Sequence, residues 1–133
     1  KIANEFIAEM KKWLQEFYGN DPHESPDYGK IISRKHFNRI RKYLADGKII
    51  HGGQVIEDDL YISPTLMTEV TYEAAIMQEE IFGPVAPIFK FATEQEAIHR
   101  HVVVAGVLSD DHAFVDFHAG TDKQHAAFFS GFQ

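Results

Sequence analysis

Met77-Gln78-Glu79-Glu80-Ile81-Phe82-Gly83-Pro84-Val85 joins two patterns of different kind. Before the join, Thr71 to Gln78 has the make-up of a short helix or turn. After it, an apolar run from Val85 to Phe91 has the length of a buried strand. Gly83 frees the backbone to turn, and Pro84 fixes φ and removes a donor. The turn is expected to bring Glu79, Glu80 and Phe82 to the lip of whatever that strand is buried in.

Working back towards the start, Leu66 to Val70 alternates as a half-buried strand should. Ser63-Pro64 separates it from a strand at Leu60-Tyr61-Ile62, and Glu57-Asp58-Asp59 reads as a solvated charge run. Lys48-Ile49-Ile50-His51 is a further short strand, closed by a Gly52-Gly53 turn. A helix is expected over about 34–45, capped by Ser33, with Phe37, Ile40 and Leu44 inward. Its cationic residues Arg34, Lys35, Arg39, Arg41 and Lys42 read as a wet face. Residues 20–32 are rich in turn formers. Residues 1–18 form an amphipathic helix with Ile2, Phe6, Met10, Trp13, Leu14 and Phe17 on one core-facing stripe, ended by Gly19. Towards the C-terminus, Thr93 and Glu96 have capping-box spacing, and His101 to Leu108 is the most strand-like run in the chain. Strands alternating with helices predict an α/β layered domain with a partly parallel sheet flanked by helices, 1–133 as one unit.

The chain has 133 residues, room for one modest core. Ten Lys and Arg meet seven Asp and Glu in residues 1–50, whereas three meet thirteen in residues 51–133. That acidic half argues against nucleic acid as a partner. No apolar run approaches a membrane span. The absence of cysteine excludes disulfides, thiolate metal sites and a cysteine nucleophile within these residues, and fits a reducing, cytoplasmic setting. Lys1 opens the sequence inside a helical pattern, as in a segment of something larger.

From Ile2 to about Ile98 a series of short motifs follows one another. Phe17-Tyr18-Gly19 is followed by Ser25-Pro26-Asp27-Tyr28-Gly29-Lys30-Ile31-Ile32 and His36-Phe37-Asn38-Arg39-Ile40. Gly47-Lys48-Ile49-Ile50-His51-Gly52-Gly53, Tyr61-Ile62-Ser63-Pro64-Thr65-Leu66 and the Met77–Pro84 stretch complete the series. In order and spacing these resemble the later part of the catalytic domain of the aldehyde dehydrogenase superfamily. The resemblance implies aldehyde oxidation to an acid with NAD or NADP, through a cysteine thiolate and a glutamate-activated water. It also implies a cofactor-binding role for two residues. Glu80 would hold the nicotinamide ribose hydroxyls, and Phe82 would lie against the cofactor, while Glu79 inherits no role. A carboxylate can accept two hydroxyl hydrogen bonds, and an aromatic face excludes water.

The family's nucleophilic cysteine, its general base and its dinucleotide-binding domain lie on segments preceding the first helix. The chain is therefore expected to be an inactive fragment or derivative that binds no cofactor by itself. Its partners would be a second copy or the complementary part of the parent enzyme. Residues 99–133 do not continue the resemblance and read as a divergent tail. Five of the eight histidines, His99, His101, His112, His118 and His125, fall there beside Asp110, Asp111, Asp116 and Asp122. A metal-binding protein built on them is one alternative, but no spacing matches a strong metal motif, and scattered surface histidines are the simpler reading. A structural or engineered non-catalytic domain of the same ancestry is the other.

Overall fold

The computed structural model describes residues 2–93, 95 and 96, and the backbone of strand 113–115. Helix α1 spans Ile2–Tyr18 and α2 spans Arg34–Tyr43. Strands β1 (Lys48–His51), β4 (Thr65–Thr68), β5 (Val85–Lys90) and β6 (Ala113–Val115) form one sheet in the order β1-β4-β5-β6. Strands β2 (Val55–Ile56) and β3 (Tyr61–Ile62) make a separate antiparallel pair. Within the larger sheet β4 and β5 run parallel, and the two outer pairings are antiparallel. The expected α/β architecture with a partly parallel sheet is therefore present. The tail histidines and the strand expected near Val102 lie outside the described residues.

Helices cover both faces of the sheet, which corrects the expectation for β4. Leu66, Ala86 and Ile88 pack under α1 with Ala3, Phe6, Ile7, Met10 and Leu14. Met67, Val85 and Phe89 point the other way, into a core with Phe37, Ile40 and Tyr43 of α2. Successive strand residues face opposite sides, so a strand covered on both faces is apolar throughout. Thr65, Leu66 and Met67 are all buried, instead of alternating with exposed positions.

Helix α1 departs from its expected stripe. Its line of contact keeps the expected Phe6, Met10 and Leu14 but adds Ala3 and Ile7 and leaves out Trp13 and Phe17. Trp13 lies about 100° round the helix from Leu14, and its ring meets that of Phe17 at 5.5 Å on the outside. Both rings are at least half exposed. Among the described residues no helix is long and apolar enough to cross a membrane.

The loop of residues 20–32 is tied to β3. The Tyr28 hydroxyl donates to the Ile62 carbonyl at 2.7 Å, and the Ile31 N–H donates to that of Leu60. His23 Nε2 lies 2.7 Å from Asp59 Oδ2, which also pairs with Lys30. Glu57 in turn takes Arg34 and Arg41 of α2. The expected solvated charge run thus supplies two ion-pair acceptors that fasten neighbouring segments.

His51 closes β1. Burial, with Lys11 of α1 adding like charge, pushes its imidazole below the ordinary value of 6.5. The folded chain therefore disfavours the protonated ring, and the unfolded chain binds the proton more readily. That contribution to stability is complete above pH 6.5 and falls away as pH drops through the folded-state value. Urea midpoints measured from pH 8 down to pH 5 should decline less steeply for His51→Gln than for the parent chain; parallel curves would refute the assignment.

Candidate functional site

The connection from β4 to β5 runs through a single 3₁₀ turn, Ala75–Met77, and then through the Met77–Pro84 stretch. A parallel pair requires such a crossover. Helix α2 fastens it at three points. Asp46, just past the helix end, accepts the Ile76 N–H at 2.8 Å. Arg39 donates to the carbonyls of Glu80 and Ile81 at 3.1 and 2.7 Å. Ile40 packs directly on Gly83, where a Cβ would lie 2.5 Å from Ile40 Cδ1.

The last contact corrects the role expected of Gly83. The residue in the left-handed region is Phe82, with φ +43, and Gly83 is demanded by close approach to a fully buried isoleucine. A bulky residue there costs about 1–2 kcal/mol. Hydrogen bonds from a charged donor are worth about 1.5–3 kcal/mol each, so Arg39's two bonds to the adjoining carbonyls are sufficient to hold it. The outcome is a phenylalanine that is 71% exposed. Among the described residues nothing packs on Phe82 closely enough to call for an aromatic side chain there.

Arg39 corrects a second expectation. It lies on the cationic side of α2, yet its side chain is only 21% exposed. Its Nη1 also donates to the Tyr43 hydroxyl at 3.0 Å, and that hydroxyl donates to Glu79 Oε1. Glu79 lies 3.3 Å from the guanidinium. The Tyr43 hydroxyl, with Arg39 beside it, holds the Glu79 carboxyl below the usual carboxylate range. Burial, with Glu79 adding to it, pushes the Tyr43 phenol up. Glu79, which inherits no role from the resemblance, is thus structural, and the roles of Arg39 and Tyr43 were not anticipated. The available signal was their i, i+4 spacing on the flank of the apolar line Phe37, Ile40.

Glu80 is half-buried, and Phe82 stands at the surface. A shallow groove of about 600 Å³ lies beside the turn, lined by Lys35, Asn38, Arg39, Lys42, Tyr43, Ala75, Gln78 and Glu79. Neither Glu80 nor Phe82 lines it. Among the described residues no group of three or more His, Cys, Asp or Glu side chains gathers to hold a metal ion.

The model of the aldehyde dehydrogenase family matches residues 1–101. The chain belongs to the aldehyde dehydrogenase family. It is 46% identical over 99 residues to the 4,4'-diaponeurosporen-aldehyde dehydrogenase of Staphylococcus aureus, covering 73% of this chain and 22% of that protein. It is 42% identical over 97 residues to the dimeric NADP-preferring aldehyde dehydrogenase of Rattus norvegicus, again over 73% of this chain and 21% of the relative. The solved substrate-bound state of Staphylococcus aureus AldH superposes with a TM-score of 0.68 at 45% identity, covering 72% of this chain and 21% of that one. The chain thus spans about a fifth of the length of these aldehyde dehydrogenases. The motif turn, α2 and the parallel pair all fall within the matched residues.

Proposed function

We propose that this chain is the nicotinamide-facing piece of an NAD(P)-dependent aldehyde dehydrogenase, inactive by itself. In this reading the Glu80 carboxylate accepts hydrogen bonds from the nicotinamide ribose hydroxyls. The exposed Phe82 ring lies against the nicotinamide and excludes water. Bound NAD(P) would supply the hydride acceptor. The observation that carries the reading is Phe82 itself, a large apolar ring held outward by a left-handed backbone. A carboxylate acceptor two residues before an aromatic face suits a ribosyl-nicotinamide, whose ribose hydroxyls donate and whose ring is flat.

The chain contains no cysteine to attack an aldehyde. Glu80 contributes at most two hydrogen bonds of about 1.5–3 kcal/mol each. Once ordering costs are subtracted, that gives millimolar affinity at best. Cysteine-dependent chemistry and tight cofactor binding would both come from the complementary part of a parent enzyme. A second copy of the chain is the other partner consistent with exposed Trp13 and Phe17. The lack of cysteine supports a reducing, cytoplasmic setting. The alternative of a structural domain of the same ancestry gives the left-handed, outward Phe82 no role among the described residues.

Two measurements test the proposal. The pure chain, given NAD or NADP and a panel of aldehydes, is expected to form no reduced cofactor; aldehyde-dependent absorbance from NADH or NADPH overturns the inactivity. Titration with oxidised nicotinamide mononucleotide, followed by amide NMR, is expected to move Glu80 and Phe82, and Glu80→Ala should abolish the shift. Unmoved amides at about 50 mM ligand, enough to fill a millimolar site, would remove the nicotinamide role.

A further inference from the structure

Building on the nicotinamide-facing reading, we infer that Arg39 is a positioning residue, whose guanidinium sets the turn that presents Glu80 and Phe82. The Glu80 and Ile81 carbonyls both accept from it, at 3.1 and 2.7 Å. In an extended strand, consecutive carbonyls face opposite sides. Here one cation gathers both, and this is possible only where the backbone folds back. The next residue is Phe82, at φ +43. The fork and the left-handed residue are therefore parts of one device.

The guanidinium is itself held on α2. The Tyr43 hydroxyl accepts from Nη1 at 3.0 Å, and Glu79 lies at 3.3 Å as counter-ion. Glu79, without a carried-over role of its own, thus secures the cation that shapes the next three residues. Arginine is required in this place. Its planar fork offers several N–H donors in fixed directions, whereas a lysine ammonium is a point charge that cannot reproduce the same spread. Arg39 touches neither cofactor nor substrate in this scheme. It acts through the backbone of the residues that do.

The test uses the isotopically labelled full chain. A positive φ brings a residue's own amide and α hydrogens close, so Phe82 should show a strong intraresidue amide–α NOE. Arg39→Lys is expected to lose that signal while keeping the cross-peaks of buried Phe37 and Ile40, and to weaken nicotinamide mononucleotide binding by about fivefold or more. Lys35→Met, one turn earlier on the same helix and without a hydrogen bond to these carbonyls, should leave the NOE unchanged. If Arg39→Lys fails to fold, Tyr43→Phe replaces it, since it removes the hydroxyl between Arg39 and Glu79 and keeps the ring. An unchanged Phe82 NOE in the folded variant, or none in the parent chain, overturns the inference. If the parent's Glu80 and Phe82 do not respond to the mononucleotide while Arg39→Lys still loses the NOE, the cofactor reading fails and the backbone clamp stands. If they respond equally in parent and variant, the cofactor reading stands and Arg39 has no positioning role.

Discussion

Gly52→Ala is expected to cost about 3 kcal/mol or more, from left-handed strain and overpacking together. Gly52 has φ +72, and a Cβ there would lie 2.0 Å from the Pro64 carbonyl oxygen. Neither side of that contact can withdraw cheaply. The Ser63 hydroxyl accepts the Gln54 N–H at 2.9 Å, and the Thr65 hydroxyl accepts that of Gly53 while donating to the Ser63 carbonyl. Ser63 and Thr65 are both buried, and Thr65 starts β4. Pushing Pro64 away would therefore disturb the strand on which the parallel ladder is built. With typical domain stabilities of about 5–15 kcal/mol, the loss is large. Urea unfolding followed by far-UV circular dichroism measures it. Gly29→Ala is the control, because nothing lies within 4 Å of its added Cβ, and its unfolding free energy should stay within about 0.5 kcal/mol of the parent's. Equal midpoints for the two variants would show that the Gly52 contact is not built as described.

The contact between Gly83 and Ile40 predicts a second large effect, with a distinctive non-additivity. Ile40→Ala empties a fully buried position and should cost about 2–5 kcal/mol. Gly83→Ala drives a methyl group into the Ile40 side chain, at 2.5 to 3.3 Å from three of its atoms, and should cost about 1–3 kcal/mol. In the double variant the truncated residue at position 40 leaves room for the added methyl. The combined loss should then fall short of the two single losses by at least about 1 kcal/mol. Strict additivity would mean that Gly83 is needed for backbone conformation and not for approach to α2.

Local signals in the chain made much of this arrangement legible. Ser33 is the N-cap of α2 and accepts the His36 N–H, as its residue type suggests. Gly19 takes φ +75 at the end of α1. The Gly-Pro break and the apolar run after it do lead into β5. What was hidden depends on contacts far apart in sequence. Cover on both faces removes the burial alternation from β4. Arg39 looks like one more surface cation until the Glu80 and Ile81 carbonyls, some forty positions later, are laid against it. Gly83 was read as the residue that frees the turn for the same reason, whereas the left-handed dihedral falls on Phe82. A glycine beside a proline suggests a free turn, and only the packing of α2 shows that the free volume, not the free dihedral, is what matters there.

The parallel pairing of β4 with β5 also governs when the motif can exist. A hairpin could form its turn from neighbours alone, but here the ends of a long crossover must meet first, at an entropic cost that no local contact offsets early. The segment carrying Glu80 and Phe82 acquires its shape late, when the sheet has zipped and α2 has seated on it. A nascent or half-assembled chain therefore does not yet display the turn proposed to face the nicotinamide, and the display of that turn is itself a sign that folding has reached completion.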